Sequence, residues 1–193
     1  MSSLLYSTKS AKQEYYPVPE ALTTIGVLEI LHNHTLVANT FWPSDTEVVE
    51  EKRSSQCTTE FVINASAGSA RATMSTTAEG IFYEEEMPLG LKMTIIYKVA
   101  DVQDQDRQKD TQVSARPTSL AESRVYLVEE RSVAAPRPLS MLVNVKDGPI
   151  EKTRRLVWLL NELGRNGKDS AQALAGLRAS AADLHDMGKS KAD

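Results

Sequence analysis

The stretch LSMLVNVKDGPIEKTRRLVWLLNELG, Leu139–Gly164, carries two different periods and decides the fold. In its first part Leu139, Met141, Val143 and Val145 alternate with Ser140, Leu142, Asn144 and Lys146, the two-residue repeat of a strand. Gly148 and Pro149 interrupt that repeat. Beyond them Leu156, Leu159, Leu160 and Leu163 stand at i, i+3, i+4 and i+7, the stripe of an amphipathic helix. Glu151, Lys152, Arg154, Arg155 and Glu162 are read as lying off that stripe. Pro149 suits the first turn, and Gly164 and Gly167 suit the C-terminal end. The stretch therefore predicts a strand over 139–146 and a helix over 149–164.

Upstream, the strand period runs back to about residue 46. Strands are expected over 46–53, 57–65, 70–78, 91–100 and 122–134. The clearest, 91–100, sets Met93, Ile95, Tyr97 and Val99 against Lys92, Thr94, Ile96 and Lys98. Over 57–65, Cys57, Thr59, Phe61 and Ile63 share a side, and over 70–78 Ala72, Met74 and Thr76 do. Gly80 ends the third of these strands, and Glu84, Glu85 and Glu86 read as a solvated strand end or turn. The polar run 101–121 reads as a long solvated connection. Nearer the N-terminus a short strand over 11–16 precedes a helix over 20–34 that opens at Pro19. Residues 35–43 are either a second short helix or a turn. After the long helix, 169–187 is an alanine-rich stretch of helical spacing. The order is strand, helix, five or six antiparallel strands, long helix. It predicts an α+β protein in which a curved antiparallel sheet covers the helix at 149–164. The domain is expected over 1–167, with 168–193 as a helical tail.

Composition narrows the class. The chain has 193 residues, of which 41% are apolar and 25% charged, so it can form a packed core. With 22 Lys+Arg against 26 Asp+Glu it carries a net charge of −4, which gives no footprint for nucleic acid. The charge is uneven: residues 1–148 hold 14 basic and 20 acidic side chains (net −6), and 149–193 hold 8 and 6 (net +2). No run is long and apolar enough for a membrane span, and the N-terminal residues do not read as a signal peptide, so a cytoplasmic protein is expected. A single cysteine, Cys57, excludes an internal disulfide, and three histidines offer no metal-site spacing. Neither a G-x-G-x-x-G nor a P-loop pattern occurs, so no cofactor is expected.

The same order of elements is used by the helix-grip, START-like superfamily of lipid-transfer domains, plant allergen-type ligand binders and polyketide aromatase/cyclases. Three stretches resemble an uncharacterised fungal family of that fold type. They are Pro17–Glu20 with Val27–His34, Met87–Lys92 leading into Met93–Val99, and Arg124–Glu130 through Ala134–Pro136 into Leu139–Val145 and the final helix. The sequence departs from that family at Asn39–Pro43, where Asn-Pro and apolar residues are usual. The resemblance implies an internal cavity for an apolar small molecule. It further implies a cofactor-free tailoring enzyme of secondary metabolism that cyclises, isomerises or dehydrates a polyketide- or terpenoid-like intermediate. A non-catalytic lipid or sterol carrier, or an interaction protein using its helical tail, are the other readings, and a homodimer is left open.

Candidate side chains follow from chemistry and from strand faces. His32 and His34 supply imidazoles suited to general acid or base work, although at i, i+2 they face apart unless the helix has ended. Tyr97 and Tyr126 can stabilise developing charge. Trp42, Met74, Tyr83, Met93, Ile95, Met141, Leu156 and Leu160 are expected to line the cavity, with the methionines as adaptable walls. Arg124 alternates with apolar residues and can anchor an acidic group.

Overall fold

The computed structural model describes residues 6–43, 48–53, 55–65, 68–102 and 124–189. In chain order the elements are β1 (Tyr6–Ser10), β2 (Glu14–Pro17), α1 (Thr24–His32), α2 (His34–Phe41), β3 (Val48–Arg53), β4 (Thr58–Ala65), β5 (Gly68–Thr77) and β6 (Gly80–Met87). They continue with β7 (Leu91–Val102), β8 (Arg124–Pro136), α3 (Arg137–Ser140), α4 (Glu151–Gly164) and α5 (Ser170–Lys189). The result is a mixed α+β protein with one large antiparallel sheet. The strand order is β1-β8-β7-β6-β5-β4-β3, and β2 also pairs with β8. Strands β3 to β8 are a meander, and the first two strands return beside the last. The α1–α2 pair therefore carries the chain from one edge of the sheet to the other.

One face of the sheet is the core. Phe61, Met74, Ile81, Tyr83, Ile95, Tyr97 and Leu127 meet Val27, Leu31, Val37 and Phe41 of the helix pair and Leu156, Leu159 and Leu160 of α4. Each such side chain contributes roughly 1.5–3 kcal/mol by leaving water. The α4 stripe thus packs as its spacing predicts. The first half of α5 lies on α4 and α2, with Ala173 and Leu177 buried and Gly176 close beneath the Trp158 ring.

Four local expectations are corrected. The helix over 20–34 begins at Thr24, because the Thr23 hydroxyl accepts from Gly26 N at 3.1 Å and caps it, while Pro19–Leu22 forms a turn. That helix also breaks at Asn33, whose side chain accepts from Leu36 N at 3.1 Å and starts α2, so of the two readings of 35–43 the short helix is the one formed, ending at Phe41. Residues 81–87 form a strand, β6, in the middle of the sheet. The strand over 139–146 is not formed. β8 stops at Pro136, where the ladder loses donors at two nearby prolines, and both sides of β8 are already taken by β7 and by β1 and β2. A short helix and an irregular segment follow instead, which leaves Met141 89% exposed. The expected 101–121 connection lies outside the described residues, apart from Asp101 and Val102, which continue β7.

Gly80 opens β6 against β7 where the backbones come unusually close. A Cβ there would sit 1.9 Å from the Tyr97 carbonyl oxygen, and φ is +159°. Backbone cannot yield as a flexible side chain can. Gly80→Ala is expected to destabilise the protein by about 2–3 kcal/mol, read as a lower urea midpoint. An unchanged midpoint would show that the hairpin can shift freely.

Candidate functional site

Alternation along β6 points Ile81, Tyr83 and Glu85 inward, among the aromatic side chains that end α2. Phe41 stands edge-on to Tyr83, with centroids 5.4 Å apart, and Trp42 lies tilted against Tyr83 at 6.2 Å and Phe61 at 6.3 Å. Into this aromatic corner the sheet places a carboxylate. Glu85 is only 8% exposed; its Oε2 accepts from the Tyr83 hydroxyl at 2.6 Å and forms an ion pair with Lys152 Nζ at 3.0 Å. The same ammonium sits 5.4 Å from the Trp42 ring centroid, a cation–π contact. One turn of α4 thus brings a cation, and the sheet an anion and a phenol, to one rim of the core. The Tyr83 hydroxyl is held well above its ordinary pKa, by burial first and then by the Glu85 charge, so it stays a donor.

Next along α4, Thr153 Oγ1 and the Tyr97 hydroxyl are 2.8 Å apart, both fully enclosed. Burial pushes the Tyr97 hydroxyl pKa up, against the opposing effect of the Thr153 hydrogen bond. Beside Tyr97 on β8 lies a second buried pair. Arg131 Nη1 meets Glu129 Oε1 at 3.0 Å, and the side chains are 4% and 2% exposed. Tyr16 donates to Glu129 Oε2 at 3.1 Å, and Arg131 Nη2 donates to the carbonyls of Lys146 and Gly148. Glu14 Oε1 accepts from Gly148 N at 3.1 Å. These bonds fix the segment that leads into α4, and hence where Lys152 and Thr153 fall. Arg155 Nη1, donating to the Phe41 carbonyl at 2.6 Å, ties α4 to the end of α2.

The expected site residues fall in several places. Trp42, Tyr83, Met74, Ile95, Tyr97, Leu156 and Leu160 come together on the inner face, and Met93 packs at their edge. Met74, Tyr83, Ile95, Tyr97 and Leu156 have no accessible surface, so protein atoms surround them in this closed form. Tyr126 is also buried, but on the other face. Tyr97 pairs with Glu129, three residues from Tyr126, so the sheet separates the two phenols and they cannot act on one ligand. Met141 is on the surface and lines nothing inside, because the strand expected to carry it does not form. His32 and His34 do turn the same way, since α1 has ended between them. His32 Nε2 lies 3.2 Å from the carbonyls of Thr77 and Gly80, and His34 bonds Thr59 and Thr76 hydroxyls at 2.9 and 3.1 Å. The pair clamps the α1–α2 corner onto the β5–β6 hairpin, away from the Glu85 rim.

Glu85, Lys152, Thr153, Glu129 and Arg131 are the functional candidates that the expected set lacks. A signal for some of them exists. Lys152, read from the sequence as lying off the apolar stripe of α4, is corrected here: it and Thr153 stand four and three residues before Leu156 and fall on that stripe, and Glu85 continues the alternation of Ile81 and Tyr83. Among the described residues no group of three or more His, Cys, Asp or Glu side chains is arranged to hold a metal ion. Among them, too, no helix is long and apolar enough to cross a membrane.

No protein-family model matches the chain, and no curated protein sequence does. Among solved structures it is similar to the di-domain ARO/CYC BexL from the BE-7585A biosynthetic pathway, at 11% identity and a TM-score of 0.44. The alignment covers 91% of this chain and 50% of that one, so this chain spans half the length of the di-domain protein.

Proposed function

We propose that this chain is a helix-grip protein that binds an apolar small molecule between its sheet and α4, and that it acts on that molecule without a cofactor. The observation that carries the reading is the Tyr83–Glu85–Lys152 cluster at the aromatic rim. A core built only for stability gains little from an enclosed ion pair, because desolvation offsets the attraction. Ionisable groups set against Trp42, Phe41 and Tyr83 are what a site for an apolar substrate with one carbonyl needs. Glu85 takes a proton from the carbon beside that carbonyl, and the Lys152 ammonium and Tyr83 hydroxyl meet the charge that develops on its oxygen. The enolate so formed attacks a second carbonyl to close a ring, shifts a double bond or expels a hydroxyl, and the proton held by Glu85 is returned to the new alkoxide, to the new carbon or to the departing hydroxyl as water. Entry requires Trp42 to swing away or α4 to lift, since the inner face is filled in the closed form. We assign the working domain to 1–167 and treat 168–193 as an appended tail whose described helix, α5, covers α4 and α2.

Purified protein incubated with a β-polyketone substrate should accelerate its cyclisation over buffer, followed by mass-resolved chromatography. Lys152→Met combined with Glu85→Gln removes the charges while keeping the volume, and should lower the rate at least about a hundredfold with binding retained. Bound substrate with no rate above buffer would leave a carrier and sink the catalytic reading.

A further inference from the structure

The far end of α4 carries a second, open cleft of about 490 Å³. It lies roughly 18 Å along the helix axis from Lys152, at 1.5 Å per residue, and shares no residue with the Glu85 rim. Its lining is mixed, and Pro17, Val18, Leu22 and Val125 supply the apolar part. The floor is closed by the backbone bond from Val18 N to Val125 O at 3.0 Å. Gly164 packs closely on Pro19, where a Cβ would come within 2.7 Å, and both line the cleft.

Three charged side chains stand around this cleft: Arg124, Arg165 and Glu20. The balance is one positive charge. Neither guanidinium has an ion-pair or hydrogen-bond partner for its side chain among the described residues. The helix C-terminus would by itself disfavour an anion. Here, however, the Asn161 and Glu162 carbonyls are taken by the amides of Arg165 and Lys168, which blunts that effect. Two arginines in the lining of a partly apolar cleft suit a planar anion on an apolar body, since guanidinium matches carboxylate geometry where a point cation does not. The volume lies within the range of ordinary small-molecule sites.

We propose that this cleft binds an amphipathic carboxylate, with the apolar body against Val18, Leu22 and Val125 and the carboxylate between Arg124 and Arg165. The site is independent of the Glu85 rim. It gives Arg124, which the catalytic reading leaves without a role, a specific partner.

Calorimetric titration with decanoate and with decylammonium tests this, because the two probes share a chain and differ in the sign of the head. Decanoate should bind at least about tenfold more tightly. Arg124→Gln with Arg165→Gln, both exposed positions, should bring the two affinities within about threefold of each other. Lys152→Met should leave the decanoate affinity unchanged. Equal affinities in the parent protein, no binding of decanoate, or a preference that survives the double arginine variant and disappears in Lys152→Met would each overturn the proposal.

Discussion

Above about pH 10 the protein should lose stability steeply, because two tyrosines of the core are held in the protonated form. Tyr83 and Tyr97 have no accessible surface. Burial raises both hydroxyl pKa values, and the Glu85 carboxylate raises that of Tyr83 further. In the unfolded chain each phenol ionises near its ordinary pKa of about 10. Above that pH the folded state binds more protons than the unfolded one, so stability falls as pH rises. The contribution is fully present below about pH 10 and disappears as pH climbs toward the folded-state values. Each phenol then contributes up to about 1.4 kcal/mol per pH unit, or about 3 kcal/mol per unit for the pair. Tyr16 moves in the same direction, by burial and by Glu129, with a smaller effect because solvent screens it. The surface pairs Lys92–Glu86 and Lys98–Glu130 also weaken as their lysines deprotonate, but exposed pairs are worth little.

The measurement is urea unfolding at a series of alkaline pH values, with the tyrosinate absorbance followed in parallel. In the native protein that band should appear together with unfolding rather than before it. Tyr83→Phe with Tyr97→Phe should flatten the dependence by about 3 kcal/mol per unit. If the two phenols ionise near pH 10 while the protein stays folded, they are open to water, and the closed inner face described above is wrong.

What the sequence reveals depends on whether a residue's partner is local. The α4 stripe is legible because Leu156, Leu159 and Leu160 repeat at helical spacing and that spacing alone selects a face. β7 is legible for the same reason at period two. β6 is not, since Glu84, Glu85 and Glu86 are polar at three successive positions, and only the pairing of β6 with both β5 and β7 makes Glu85 an inward residue. The segment 139–146 fails in the opposite way. Its alternation is real, but a strand also needs a free edge, and β8 has none to offer. The aromatic half of the candidate site, Trp42, Tyr83 and Tyr97, could be named from strand faces and hydrophobicity. The ionic half is only partly legible: Lys152 and Glu85 each continue a local pattern, but their pairing joins residues far apart in the chain, and Glu129–Arg131 acquires its meaning only from the carbonyls of Lys146 and Gly148.

That last cluster yields the second large expected effect. Arg131 gives one nitrogen to Glu129 and another to two carbonyls of the segment before α4. Arg131→Met keeps the apolar stem but abandons Glu129 in a buried position with Tyr16 as its remaining side-chain donor. An enclosed carboxylate that loses its cation is among the costliest single changes, about 3–5 kcal/mol. In a protein of this size that corresponds to a fall in Tm of roughly 10 °C. Adding Glu129→Gln to Arg131→Met removes the orphaned charge and retains an oxygen for the Tyr16 hydroxyl. The double variant should therefore recover most of the loss and come within about 1–2 kcal/mol of the parent. Under the catalytic reading proposed above, full recovery of the rate is not expected with it. Without the guanidinium, nothing in this pair holds the Lys146 and Gly148 carbonyls, and the first turn of α4 can drift from its register against the sheet. Lys152 should then meet Glu85 less often, and if the proposed catalysis depends on that pair its rate should fall although stability is largely restored. A double variant as unstable as Arg131→Met alone would show that the carbonyl anchors, not the buried charge, hold α4 in place.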